Sequence, residues 1–156
     1  MFKLGILFTI ILFSLASFAE IKSVEVITRD SDGNFVVPLF PNQSACNAKR
    51  DGFLNQHLII RSNPFQVEVV DSEKQYIVFD GSHVSQTAEC HGATTVVENS
   101  PQLNLKCTQK LDPAGRRTLE KTVFIEFRGN NGTARISTVS PSSSISTTWS
   151  LSECNF

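Results

Sequence analysis

The stretch Phe65-Gln66-Val67-Glu68-Val69-Val70-Asp71 alternates apolar and polar residues as far as Val69. Neighbouring side chains on a strand point to opposite faces, so Phe65, Val67 and Val69 share one face and Gln66 and Glu68 the other. A helix would scatter the three apolar residues around its axis. This is a half-buried strand, and the same period runs outward from it. Upstream lies "LNQHLIIRS" (54–62), set off by Asn63-Pro64. Downstream, "QYIVFDG" (75–81) follows the turn signal Asp71-Ser72-Glu73-Lys74.

Towards the start, "KSVEVIT" (22–28) puts Val24 and Val26 on one face, and Ser31-Asp32-Gly33-Asn34 leads into an extended run from Phe35 to Phe40. Asp-Gly in that position is a strong hairpin signal. Towards the end come "TAECHGATTVV" (87–97), "QLNLKCTQ" (102–109), "TLEKTVFIEFR" (118–128), "TARISTVS" (133–140) and "ISTTWSLSE" (145–153). Asp112-Pro113-Ala114-Gly115 and Gly129-Asn130-Asn131-Gly132 separate members of this series and supply turn residues. About ten strands with short connections predict an all-β chain, a small antiparallel sandwich or barrel. One stretch departs from the pattern. "PNQSACNAKRDG" (41–52) reads as a short helix, with Asn42 or Ser44 as its cap and Gly52 at its end.

The first 19 residues read differently. Lys3 precedes an apolar run from Leu4 to Phe13, and small residues lead to Ser17-Phe18-Ala19. That is the layout of a secretory signal peptide cut after Ala19. The apolar run is short for a membrane span, which takes about 20 residues. A single domain over 20–156 follows, exported to a periplasmic or secreted location, with no membrane span after cleavage.

Four cysteines lie in that domain: Cys46, Cys90, Cys107 and Cys154. An even number in an exported chain predicts two disulfides. A hairpin that sets Thr94 opposite Leu103 and Gly92 opposite Leu105 also sets Cys90 opposite Cys107. Cys46 and Cys154 then remain as the second pair. A hairpin loop one residue longer would flip one cysteine to the other face and favour Cys46–Cys90 with Cys107–Cys154.

Cys90 is followed by His91, which raises the question of a nucleophile beside its base. On a strand the two point apart, out of the roughly 3 Å reach such a pair needs. His57, His83 and His91 lack the tight spacing of a zinc site. No Gly-x-Ser-x-Gly elbow, phosphate-binding loop or dinucleotide fingerprint is present. No catalytic residue, metal ligand or cofactor is therefore predicted. Residues 101–156 carry seven basic and four acidic side chains. That is too small an excess for a nucleic-acid partner.

The function these residues favour is an exported non-enzymatic binding or interaction module, such as an inhibitor or accessory subunit, with a protein or glycan partner. Two stretches are candidate binding segments: "KLDPAGRRTLEK", with Lys110, Arg116, Arg117 and Lys121, and "FDGSHVSQ", with Asp80 and His83. Two alternatives stand beside this one. The first is an exported hydrolase using dispersed acidic residues. The second is a small outer-membrane β-barrel, which the single Trp149 and single Tyr76 serve poorly as aromatic girdles.

Overall fold

The computed structural model describes residues 21–24, 28–72, 74–82 and 88–156. The predicted leader, Val26 and His83 lie outside the described residues. Two short pieces, β2 (Thr28–Arg29) and β3 (Phe35–Val36), pair only with each other. Everything else belongs to one antiparallel sheet of ten strands. Its first meander is β4 (Gln43–Arg50), β5 (Phe53–Ser62), β6 (Phe65–Asp71) and β7 (Lys74–Asp80). Its second is β8 (Ala88–Val97), β9 (Ser100–Lys110), β10 (Thr118–Arg128), β11 (Asn131–Ser140) and β12 (Ser143–Asn155). β12 pairs with β4 and joins the two meanders, while β1 (Ile21–Val24) lies on the outer side of β8.

One face of this sheet is mostly apolar, with Ser44, Gln56 and Thr94 buried among the apolar residues. Leu103, Leu105, Val123, Ile125, Ala134, Leu58, Ile60, Phe65, Val67 and Val69 are all fully buried. The alternating residues carry the polar face, where Lys106 meets Glu120 at 2.8 Å. A single sheet with one apolar face can hide it only by curling. The two ends of the strand order do approach, since side chains of β7 and of β8–β10 line a common cavity. The segment after β3 covers part of the core. The Val37 N–H donates to Ser62 O at 2.9 Å, and the Phe40 ring packs 5.4 Å from that of Phe127.

The predicted helix over 41–52 is a strand. In β4, Ser44, Cys46 and Ala48 are buried while Ala45 and Lys49 are exposed, a period of two. Small residues gave this alternation too little hydrophobic contrast to read. Pairing with β5 on one side and β12 on the other decides it. Gly52, at a φ of 79°, serves the tight turn into β5, where a left-handed backbone suits glycine.

Cys90 does face Cys107, with Cα atoms 4.0 Å apart, and Thr94 faces Leu103 in the same register. The connecting loop is two residues, Glu98-Asn99, both with positive φ (49° and 62°), as a type I′ hairpin turn requires. Cys46 is bonded to Cys154, 108 residues away. That bond depends on an irregularity in β12. Trp149 and Leu151 point inward, so strict alternation would turn Cys154 outward. A bulge at Glu153, whose φ is 51°, shifts the register between Ser152 and Asn155 and returns Cys154 to the core.

Candidate functional site

The core-facing rows of β9 and β10 do not stay apolar to their ends. On β9 the inward row runs Leu103, Leu105, Cys107 and then Gln109. On β10 it runs Ile125, Val123 and then Lys121 and Leu119. These last residues reach the place where, among the described residues, β7 is not hydrogen-bonded to the other end of the sheet. Ile77, Val78, Phe79 and Asp80 of β7 stand on the other side, and Ala88 opens β8 at the same place. Together they enclose a cleft of about 340 Å³. That falls in the range of small-ligand sites, which are apolar hollows with a few placed polar groups. The Cys90–Cys107 bond forms part of its wall through Cys107.

The polar groups of the cleft differ in how they are held. Asp80 Oδ1 accepts from Gln66 Nε2 at 2.9 Å, from the Ser82 N–H at 2.9 Å and from Ser82 Oγ at 2.5 Å. The Asp80 carboxylate therefore organises the turn that leaves β7. Lys121 is half-buried, and no hydrogen bond or ion pair joins its ammonium to another described residue. Its neighbour Glu120 belongs to the opposite face and is taken by Lys106. The five residues 83–87 contain no acid.

The fold thus brings Lys121 and Asp80 to one cleft and leaves Lys110, Arg116 and Arg117 elsewhere. Lys110, Arg116 and Arg117 are exposed on the β9–β10 connection. The backbone N–H groups of Arg116 and Arg117 donate to the Asp112 carboxylate at 2.9 and 3.1 Å, and the Leu111 N–H donates to Arg117 O at 2.8 Å. Asp112 builds the turn, and the two guanidinium groups project from it. His91 is exposed on the face opposite Cys90.

Gln109, Leu119 and Phe79 were not among the residues singled out in the sequence. Their signal was present as spacing: Gln109 continues the inward row of Leu105 and Cys107, and Leu119 that of Val123. What the sequence lacked was any sign that those rows end at a cleft.

A second hollow, of about 550 Å³, lies beside the Cys46–Cys154 bond, between Asn47, His57, Asn130, Glu153 and Asn155. Asn47 Nδ2 donates to Glu153 Oε2 at 2.5 Å across it. Its side chains are largely those of the outer face. A further cluster pairs Glu68, only 6% exposed, with Arg61 and Gln75, and so satisfies a buried carboxylate. Among the described residues no three or more His, Cys, Asp or Glu side chains converge as a metal site. No helix of the described residues is long and apolar enough to cross a membrane.

Comparison of the chain with protein-family models, with curated proteins and with solved structures gives no match.

Proposed function

We propose that this chain is an exported, non-catalytic binding protein and that the cleft between β7 and β8–β10 holds its ligand. The cleft itself carries this reading. It lies beside the apolar core, is walled by Phe79, Ala88 and Leu119, and is lined by Lys121 and Gln109 at the polar ends of their strands. Hollows of this kind in the mouth of a curled β-sheet are where small ligands bind. Export is supported by the leader pattern of residues 1–19 and by two disulfides, which persist in oxidising compartments.

The polar outer face speaks for a watery environment rather than lipid. Arg135, Ser146, Thr148 and Ser150 lie on the side of the sheet that an outer-membrane barrel would turn towards hydrocarbon. Among the described residues of the cleft the one carboxylate, Asp80, is engaged by Gln66 and Ser82, which does not favour hydrolysis.

The test is a thermal-shift screen of small molecules against the disulfide-intact protein and against Leu119→Trp, which fills the cleft. Hits that stabilise the parent and not the variant support the reading. Hits that stabilise both proteins equally place binding elsewhere. Turnover of ester, peptide or glycoside substrates that disappears on mutating acidic residues would replace the reading with an enzymatic one.

A further inference from the structure

We propose that the ligand of this cleft is a small amphiphile with an anionic head, and that Lys121 is its counter-charge; this rests on the cleft being the binding site. Position comes first. Lys121 stands on the core-facing row of β10, two residues before the fully buried Val123 and directly opposite Cys107 of β9. A lysine on an outer row would be solvated on all sides, whereas this one is half-buried and lines the cleft, where a long apolar stem can lie against apolar neighbours.

Charge comes second. Among the described residues nothing neutralises that ammonium. Asp80, the one acid of the cleft, makes three hydrogen bonds through Oδ1 with Gln66 and Ser82, and no ion pair within 4.0 Å joins it to Lys121. The cleft therefore has a local positive charge at one end and apolar surface from Ile77, Phe79, Ala88 and Leu119 along the rest. An apolar tail would bury against those walls, and a carboxylate or similar head would meet Lys121 with Gln109 alongside. A half-buried charge paired with a ligand gains more than an exposed one, because screening by water is weaker there.

The experiment uses three probes with one tail and different heads: octanoate, octanol and octylammonium. Each is titrated calorimetrically into the disulfide-intact protein below its micellar concentration. Octanoate should bind with a stoichiometry of one, about tenfold more tightly than octanol, a ratio typical of one charge-assisted contact, and octylammonium weakest of the three. Lys121→Gln should bring octanoate down to the level of octanol and leave octanol unchanged. Lys121→Arg should restore most of the preference, and Lys121→Glu should reverse it towards octylammonium. Leu119→Trp, or Ala88→Leu if that variant fails to form both disulfides, should abolish binding of every probe.

The failures are distinguishable. Binding of all three heads with similar affinity, lost on filling the cleft, overturns the anionic class and keeps the cleft as the site. A preference for octanoate that survives Lys121→Gln overturns the role of Lys121. Binding that survives filling the cleft, or no binding by any probe, overturns the cleft reading and this proposal with it.

Discussion

Gln56 is buried at 1% exposure, accepts the indole N–H of Trp149 at 3.0 Å and donates to Asp71 Oδ2 at 3.2 Å. Three residues from β12, β5 and β6 are thus tied by one side chain within an apolar core. Replacing Gln56 with Leu leaves the buried indole N–H without its acceptor, which costs about 1–3 kcal/mol. Trp149 is the sole tryptophan of the chain, so urea unfolding followed by its fluorescence measures that loss directly. Asp30 shows a residue acting on its own loop. The backbone N–H of Asn34, against the opposing effect of desolvation and helped by the Asn34 side chain and the backbone N–H groups of Asp32 and Gly33, holds its carboxyl below the ordinary aspartate value. A depressed carboxylate stabilises above its unfolded value and loses that contribution as pH falls through the folded one. The turn between β2 and β3 should accordingly be intact at neutral pH and loosen only below about pH 4. Amide exchange at Asp32 and Asn34, or their loss of protection on Asp30→Ala at pH 7, checks this.

At the scale of the element, β12 is where local pattern and final structure part company. Its register against β4 places Ser152 opposite Asn47 and Asn155 opposite Ala45, with Glu153 in the left-handed region between them. A bulge of this kind adds one residue and reverses the facing of all that follow. Deleting Glu153 removes that extra residue and should leave Cys154 directly opposite Cys46 in an unbulged ladder, facing inward, with the bond kept. Alkylation under denaturing, non-reducing conditions should then find no free thiol. Two free thiols per chain in the deletion would show that facing alone does not bring the two sulfurs together. The β8–β9 hairpin shows the opposite case. Its two-residue turn leaves alternation unbroken on both strands, and fixes the one of the two registers open in the sequence that sets Cys90 across from Cys107.

For the whole molecule, the two disulfides close loops of very different length, with sequence separations of 108 and 17 residues. If restriction of the unfolded chain dominates, the long loop contributes about 4–5 kcal/mol and the short one about 3 kcal/mol. The pair Cys46→Ala with Cys154→Ala should then destabilise more than Cys90→Ala with Cys107→Ala, read as the difference in urea midpoint at constant slope. The two pairs should differ in a second way. Cys107 walls the cleft, so removing the short-loop bond should weaken ligand binding as well as stability, whereas removing the long-loop bond should act on stability alone at temperatures where the protein stays folded.

What the sequence by itself determined is the strand content and the inward row of most strands. Phe65, Val67 and Val69 are all fully buried, and Val123, Ile125 and Phe127 follow the same rule. Alternation is a local property, enforced by backbone geometry wherever side chains contrast in polarity. Tertiary structure decided three things that contrast could not carry. It made a strand of Gln43–Arg50, whose inward residues Ser44, Cys46 and Ala48 are too small to announce a face, because pairing on both sides outweighs local helix caps. It bulged β12 at Glu153, since only the β4 partner makes the register shift visible. And it set β7 beside β8–β10 with no pairing between them among the described residues, which turns Lys121 and Gln109 from the ends of two ordinary strands into the lining of a cleft. The facing of each strand is written residue by residue, but the place where the two ends of a curled sheet come side by side depends on all ten strands together.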